Sequence, residues 1–403
     1  MKCHYKVVWL CHVANDELNA YFNKDVPQCA YWITQFLDIM KDQGLDIHVV
    51  TPNYYTNTDD CIKIDGVTYH LFKYHSGLLS DRACVLEIAL RRESNIKRKV
   101  ANIIISINPD LIHLYGAENI TYSSGVLPLL NKYPVLVTFQ GYIQQSKVIG
   151  GLIKGIVARR RIRTEDEILR KVKHITFGEV EINSRTYYVS KYKNEDTLYL
   201  NFPTKDPSID ASMVTKEYDM VFWGRITPNK GVEDFIRGIS ILKKNHENIK
   251  GLILGGGSDE YLSYLQGLVK DLGVDSNIVF GGFQKTNEEL FANAAKAKVY
   301  VLPTYFDALP GSVRESMLMK LPVVTYPVGD LPELNKNANC IILAKYRNIE
   351  DLAENIERLL TDIALRSELT ENAYQMMSLQ NNNHYIASQM MRCYKHCILN
   401  FQE

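Results

Sequence analysis

The sequence of 403 residues lacks any apolar run long enough to cross a membrane as a helix. Outside its strand-like segments the most apolar window, "VIGGLIKGIVA", is about half a span and carries Lys154. It has no net charge, 46 Lys and Arg standing against 46 Asp and Glu, so nothing at whole-chain level demands nucleic acid or an acidic partner. Its eight cysteines form no C-x-x-C pair and no spacing suited to a tetrahedral metal site, which reads as reduced thiols in a cytosolic protein. The start, "MKCHYKVVWLCHVAND", has no small-residue cleavage site and its apolar run breaks at His12, as expected of a first strand rather than a signal peptide. Two nucleotide motifs are missing as well. "GRITPNKG" lacks the glycine before its lysine and the hydroxyl after it that a Walker loop needs, and "LILGGGSDEYLSYL" breaks the G-x-G-x-x-G spacing at Glu260.

What is present is a rhythm. Short apolar runs ending in Gly or Pro alternate with helical patterns: "YKVVWLCHV", "LDIHVVTP", "DLIHLYG" and "PVLVTFQGY" read as strands in the first half, with "CAYWITQFLDIMKDQG" an amphipathic helix. The rhythm restarts at Tyr218 with "YDMVFWGR", "IKGLILGGG", "NIVFGGF", "KVYVLPT", "PVVTYPV" and "NCIILA". The fold class is therefore α/β, two doubly wound parallel-sheet modules that face a central cleft, with ligands at the carboxyl ends of strands. Expected boundaries are 1–201 for the first domain, 202–217 for a linker around "NFPTKDPSID", 218–380 for the second domain and 381–403 for a C-terminal helix that crosses back to the first.

Three turns carry candidate chemistry. "GRITPNKG" sets Arg225 and Lys230 after a strand and just before a helix, where two cations beside a helix N-terminus suit a diphosphate; a solvated basic turn is the plainer alternative. The three glycines of "ILGGGS", at a strand-to-helix turn, serve tight packing and positive φ, the nicotinamide fingerprint being broken. In "FDALPGSVRESM" two acids, Asp307 and Glu315, flank a Pro-Gly turn. Ser312-x-x-Glu315 is formally a capping box, in which Glu315 would only satisfy a backbone N–H. That leaves Asp307 unexplained, together with the small residues that free backbone amides toward an anion.

In order and separation, "WGRITPNKG", "ILGGGS", "IVFGGF", "FDALPGSVRESM" and "LPVVTYPVGDLPEL" resemble the nucleotide-binding domain of retaining glycosyltransferases of family 4 (group 1), which have the GT-B fold; the resemblance covers roughly Tyr218 to Asp362. It implies that Arg225 and Lys230 bind the donor diphosphate and stabilise it as it departs. Glu315 would accept from the ribose hydroxyls, and Asp307, standing where the family's E-x7-E has its first glutamate, would touch the transferred sugar. Gly224 and the Pro310, Gly311, Ser312 turn would seat the phosphates, and Gly282 with Phe283 the base. On the acceptor side it points to His113, Gln140 and Gly141, with Gln140 in place of the usual histidine and "DVPQCAYW" in place of the family's glycine pair.

The activity implied is transfer of a sugar from a nucleotide-diphosphate sugar to a hydroxyl of a growing glycan or lipid-linked oligosaccharide. No cofactor is implied. No metal is needed either, since no D-x-D pair follows a strand in the second half. A nucleotide-sugar epimerase of the same fold, or a degenerate nucleotide-sugar-binding partner subunit, are the alternatives. From Arg82 to Lys173, 16 Lys and Arg face 7 Asp and Glu, and residues 147–173 interleave them with Ile149, Leu152, Ile153, Ile156 and Val157. Such a stretch is a solvated helix face or a peripheral contact with anionic lipid at the inner face of the membrane. No nucleic-acid motif accompanies the charge.

Overall fold

The computed structural model describes residues 4–26, 31–74, 94–138, 152–194 and 196–401. Contacts divide the chain into two units: Met1–Glu179, Arg185–Pro203 and Asn382–Glu403 form unit 1, and Val180–Ser184 with Thr204–Asn381 form unit 2.

Unit 1 is built on β1 (Lys6–Leu10), β2 (Asp46–Pro52), β3 (Asp60–Ile64), β4 (Val67–Phe72), β5 (Leu111–Tyr115), β6 (Val135–Thr138), β7 (His174–Phe177) and β8 (Thr197–Tyr199), in the order β3-β4-β2-β1-β5-β6-β7-β8. All pairs are parallel except β3 with β4. Side chains alternate between faces along a strand. Val7 and Trp9 accordingly pack with the helix Tyr31–Met40 and the C-terminal helix Asn383–Leu399. Val8 and Leu10 pack on the other face with the helix Ser94–Ile107 and with Ile168 and Leu169 of the helix Leu152–Leu169. The β3–β4 hairpin, with β7 and β8, goes beyond the strands read from the sequence. Its turn is Asp65-Gly66, both at positive φ (46° and 83°), the dipeptide that two-residue hairpins favour.

Unit 2 holds β9 (Tyr218–Trp223), β10 (Gly251–Leu254), β11 (Ile278–Gly282), β12 (Ala297–Leu302), β13 (Val323–Thr325) and β14 (Ile342–Leu343), all parallel, in the order β11-β10-β9-β12-β13-β14. These are the six strands expected after Tyr218. The order reverses between β9 and β12, and at such a switch point the loops leaving adjacent strands part and open a crevice.

The boundaries differ in detail from those expected. Of 202–217, Phe202 joins unit 1, edge-on to Trp32 at 5.2 Å, while residues from Thr204 onward join unit 2. There Ala211 donates its amide to Met319 O (2.8 Å), and the half-buried Lys216 ammonium is held by the carbonyls of Ala211, Ala295 and Ala297 at 2.6–2.8 Å. Burial lowers that ammonium's pKa to about 8. The five residues Val180–Ser184 belong to unit 2 because Asp330, buried there, accepts from the amides of Asn183 (2.7 Å) and Ser184 (3.3 Å) and from Ser184 Oγ (2.5 Å).

Two glycines of unit 2 give opposite expectations. Gly231 has φ +71°, and a Cβ there would sit 1.8 Å from Pro303 O; Gly267 lies within the helix Asp259–Asp271 with nothing within 4 Å. Gly231→Ala should destabilise by about 3 kcal/mol or more. Gly267→Ala should stabilise by roughly 0.5–1 kcal/mol through helix propensity. Urea unfolding of the two variants checks both signs.

Candidate functional site

The loops leaving β9, β10, β11 and β12 are laced to one another by the backbone. Gly224 donates to Leu254 O (3.2 Å), Ile226 to Gly256 O (2.8 Å) and Gly255 to Gly282 O (2.8 Å). At Gly255 (φ +136°) a Cβ would lie 1.9 Å from Gly224 O, so only glycine lets these two loops meet. Across the switch point, Asn229 O accepts from the Tyr305 amide (2.8 Å) and from Thr304 Oγ1 (3.1 Å). Arg225, Lys230 and Asp307 are thereby brought into one neighbourhood.

Lys230 and Asp307 form an ion pair, each side chain about one-fifth exposed. The sequence reading gave one of them to the diphosphate and the other to the sugar; the pairing adds that each holds its partner in place. Arg225 is exposed, with no hydrogen bond or ion pair among the described residues. It is the cation at this strand end available to an incoming anion.

The helix that could receive that anion is not the one beside Lys230. The helix Val232–Leu242 carries Glu233 and Asp234 in its first turn, which already occupy its positive end. The helix Gly311–Leu318 has no acid in its first turn, and its cap is Pro310, with no side-chain hydrogen bond. The amides of Gly311 and Ser312 have no acceptor among the described residues. The capping box does not form. Ser312 Oγ instead accepts from Tyr300 OH (2.7 Å), and Glu315 Oε2 accepts from the indole N–H of Trp223 (3.4 Å). The rings of Trp223 and Tyr300 meet at a tilt of 33°, centroids 3.8 Å apart, beneath this helix, both buried, and Tyr300 OH also reaches Trp223 O (3.2 Å). The sequence reading missed these aromatic supports, since two rings on separate strands carry no motif.

Burial raises the pKa of the Glu315 carboxyl, with the Trp223 N–H, Arg314 and Lys205 pulling it back. Arg314 is 9 % exposed and lies in the field of Glu181 as well as Glu315. At the far edge of the site Phe283, 75 % exposed at the end of β11, lies over Gly256. An exposed ring at a strand's carboxyl end offers a flat face to a planar base.

In unit 1, His113 lies in the core. Its ring is fully buried on Tyr115 at 3.9 Å, Nδ1 contacts Tyr394 OH (2.9 Å), Nε2 contacts Thr138 Oγ1 (2.8 Å), and burial lowers its pKa well below the usual value. Neither nitrogen is left for an acceptor, so the structure makes His113 a packing residue and not a ligand contact. Gln140 and Gly141 lie outside the described residues. Polar groups not anticipated from the sequence follow β1 and β5: His12 Nδ1 contacts Tyr122 OH (3.1 Å), and Glu118 pairs with Arg161 (3.3 Å). Of the basic stretch's apolar residues, Ile156 and Val157 pack against Ile120. No helix among the described residues is long and apolar enough to cross a membrane.

Comparison with known proteins bears on the second unit and on the fold. Residues 208–376 match the family model of glycosyl transferases group 1. The chain is 31 % identical over 182 residues to an uncharacterized glycosyltransferase, MJ1607, of Methanocaldococcus jannaschii, covering 44 % of each chain. It is also 31 % identical over 202 residues to the N,N'-diacetylbacillosaminyl-diphospho-undecaprenol alpha-1,3-N-acetylgalactosaminyltransferase of Campylobacter jejuni, covering 49 % of this chain and 48 % of that one. The matches thus span a little under half the length of these curated relatives. Sucrose-phosphate synthase from Thermosynechococcus elongatus superposes with a TM-score of 0.74 over 98 % of this chain and 99 % of its own, at 17 % identity. That likeness is one of fold, and with the two Rossmann-like sheets it places the architecture in the GT-B class.

The raised pKa of Glu315 has a sign that can be tested. An acid whose pKa is higher folded than unfolded opposes folding once ionised; the cost is absent below the unfolded value, about 4.3, and full above the folded value. Glu315→Gln should therefore raise Tm at pH 7, with the gain shrinking as pH falls toward 4. A Tm at pH 7 equal to or below the wild type's would show that the carboxylate stabilises the fold.

Proposed function

We propose that this protein transfers a sugar from a nucleotide-diphosphate sugar to a hydroxyl acceptor, with the anomeric configuration retained and no divalent metal. The observation that carries the reading is the set of groups at one switch point: exposed Arg225, the Lys230–Asp307 pair, the acid-free N-terminus at Gly311–Ser312 and the partly buried Glu315. A diphosphate needs fixed cations and open amides, a ribose needs a carboxylate acceptor, and a base needs a flat apolar face; these are Arg225 and Lys230, Gly311 and Ser312, Glu315 and Phe283. Asp307 takes a sugar hydroxyl when Lys230 turns toward the phosphates. Charge that grows on the leaving diphosphate in the transition state meets Arg225, Lys230 and the helix end, which are already oriented, so little reorganisation is needed.

The acceptor is a glycan or lipid-linked oligosaccharide, a proposal supported by the name of the Campylobacter relative, a transferase acting on a diphospho-undecaprenol-linked sugar. With that acceptor the basic helix Leu152–Leu169 serves as a peripheral contact with anionic lipid. Ile156 and Val157, packed on the protein, are not its inserted residues.

Release of free nucleoside diphosphate from a panel of sugar nucleotides with a lipid-linked acceptor tests the activity. Arg225→Ala and Lys230→Met should each lower turnover by two or more orders of magnitude, about 3–4 kcal/mol of transition-state stabilisation. Asp307→Asn should lower turnover while leaving nucleoside diphosphate affinity within a few-fold. Isomerised sugar nucleotide without acceptor would identify an epimerase instead, and tight donor binding with no product a binding subunit. Flotation with anionic and neutral vesicles at low salt tests the lipid contact. Cofloating with neither removes it and favours an acceptor in the aqueous phase.

A further inference from the structure

His174, Asp196 and His396 are brought together in unit 1 from three distant stretches of chain. His174 opens β7, Asp196 immediately precedes β8, and His396 lies in the last turn of the helix Asn383–Leu399. One ring nitrogen from each histidine and one carboxylate oxygen all lie within 4.8 Å of one another. His174 Nδ1 is 2.9 Å from Asp196 Oδ2, and His396 Nε2 is 3.1 Å from Asp196 Oδ1. The first contact is close but misaligned. His174 is 2 % exposed, yet its buried Nδ1 has no hydrogen-bond partner among the described residues. A buried nitrogen at ion-pair distance from a carboxylate, yet out of line for a hydrogen bond with it, is an arrangement that two donors facing one centre would show.

We infer that these three side chains form a divalent-cation site, with zinc as the ion. Two imidazoles and one carboxylate are a donor set that zinc accepts, at about 2.0–2.1 Å to nitrogen and 2.0–2.2 Å to oxygen, with water as the fourth ligand. Donors bound to one ion at those lengths lie roughly 3–4 Å apart, so the observed contacts need only small ring rotations. Calcium and magnesium favour oxygen-rich sets and fit less well.

The surroundings are arranged as a metal site's outer partners are. Asn194 Oδ1 accepts from the Asp196 amide (3.0 Å), and its Nδ2 donates to the carbonyls of Val172 (3.2 Å) and Lys173 (3.0 Å). One amide side chain therefore fixes the segment that carries Asp196 and the segment that leads into His174. The Asn400 side-chain amide lies 3.2 Å from His396 Nδ1, the ring nitrogen that does not contact Asp196, and Lys173 Nζ donates to Asn400 O (2.9 Å), which ties the end of the last helix to the same place. Such partners orient ligands and sharpen affinity.

The position says what the ion does. His174 and Asp196 lie at the amino ends of β7 and β8, whereas ligand-binding loops of an open parallel sheet follow the carboxyl ends, where His12 and Glu118 are found. The ion is a clip that fastens the C-terminal helix to the sheet edge, and it takes no part in sugar transfer.

Competition with a chromophoric chelator tests this on the full-length, tag-free protein after metal stripping. The expected result is one zinc per chain with sub-micromolar affinity, and a Tm that rises with the logarithm of free zinc. His396→Ala and the near-isosteric Asp196→Asn should each weaken binding by about 100-fold or more and abolish the Tm response. His246→Ala, at the His246–Glu357 pair in unit 2, should leave both unchanged. Circular dichroism of the stripped variants establishes that they are folded. Absence of stoichiometric binding by the wild-type protein, or unaltered affinity in Asp196→Asn, would overturn the proposal and leave a hydrogen-bonded His-Asp-His cluster.

Discussion

The backbone tie across the switch point of the second sheet is the constraint on which the candidate site depends. Asn229 O accepts from Thr304 and Tyr305, and Gly231 presses against Pro303 O without room for a side chain. Diverging loops at a reversal of strand order would otherwise be free to separate. Held here, they set Lys230 against Asp307 and leave Arg225 projecting from the same turn. A ligand with two negative charges and a sugar would meet groups already in position, and preorganisation of this kind is where most electrostatic catalysis originates.

A second support lies under the helix Gly311–Leu318. Trp223, at the end of one strand, and Tyr300, within its neighbour, pack ring against ring at a tilt of 33° and direct their polar atoms to Glu315 and Ser312. The acid is thereby drawn into a buried position that raises its pKa, a cost to the fold that is sensible only if something else uses the carboxylate. The same contacts divert Ser312 and Glu315 from capping the helix, which leaves its first amides open. Stability is given up at the place where an anion would return it.

The second unit was legible because its strands are short, apolar and punctuated by glycine or proline, and because five turn motifs recur in a fixed order. All six strands after Tyr218 fall where periodicity put them. The first unit was less so. The Asp65-Gly66 hairpin signal was present but passed over, and "HITF" is four residues inside a charged stretch, too short for period alone to distinguish. His113 shows the limit of a motif: a histidine ending an apolar run looks the same whether its nitrogens face a ligand or, as here, Tyr394 and Thr138.

Local chemistry in the sequence determined the α/β class, the parallel strands of the second unit and the residue types that stand at the turns between them. Those properties depend on neighbours within a few residues. Tertiary structure decided which of them meet. Lys230 pairs with an acid 77 positions away, Glu315 takes its hydrogen bond from a tryptophan 92 positions away, and His396 reaches an aspartate 200 positions away. Folding likewise decides that Ser312 and Glu315 turn to Tyr300 and Trp223 and form no capping box. Contacts at such separations follow from strand order and helix packing, which no window of sequence contains.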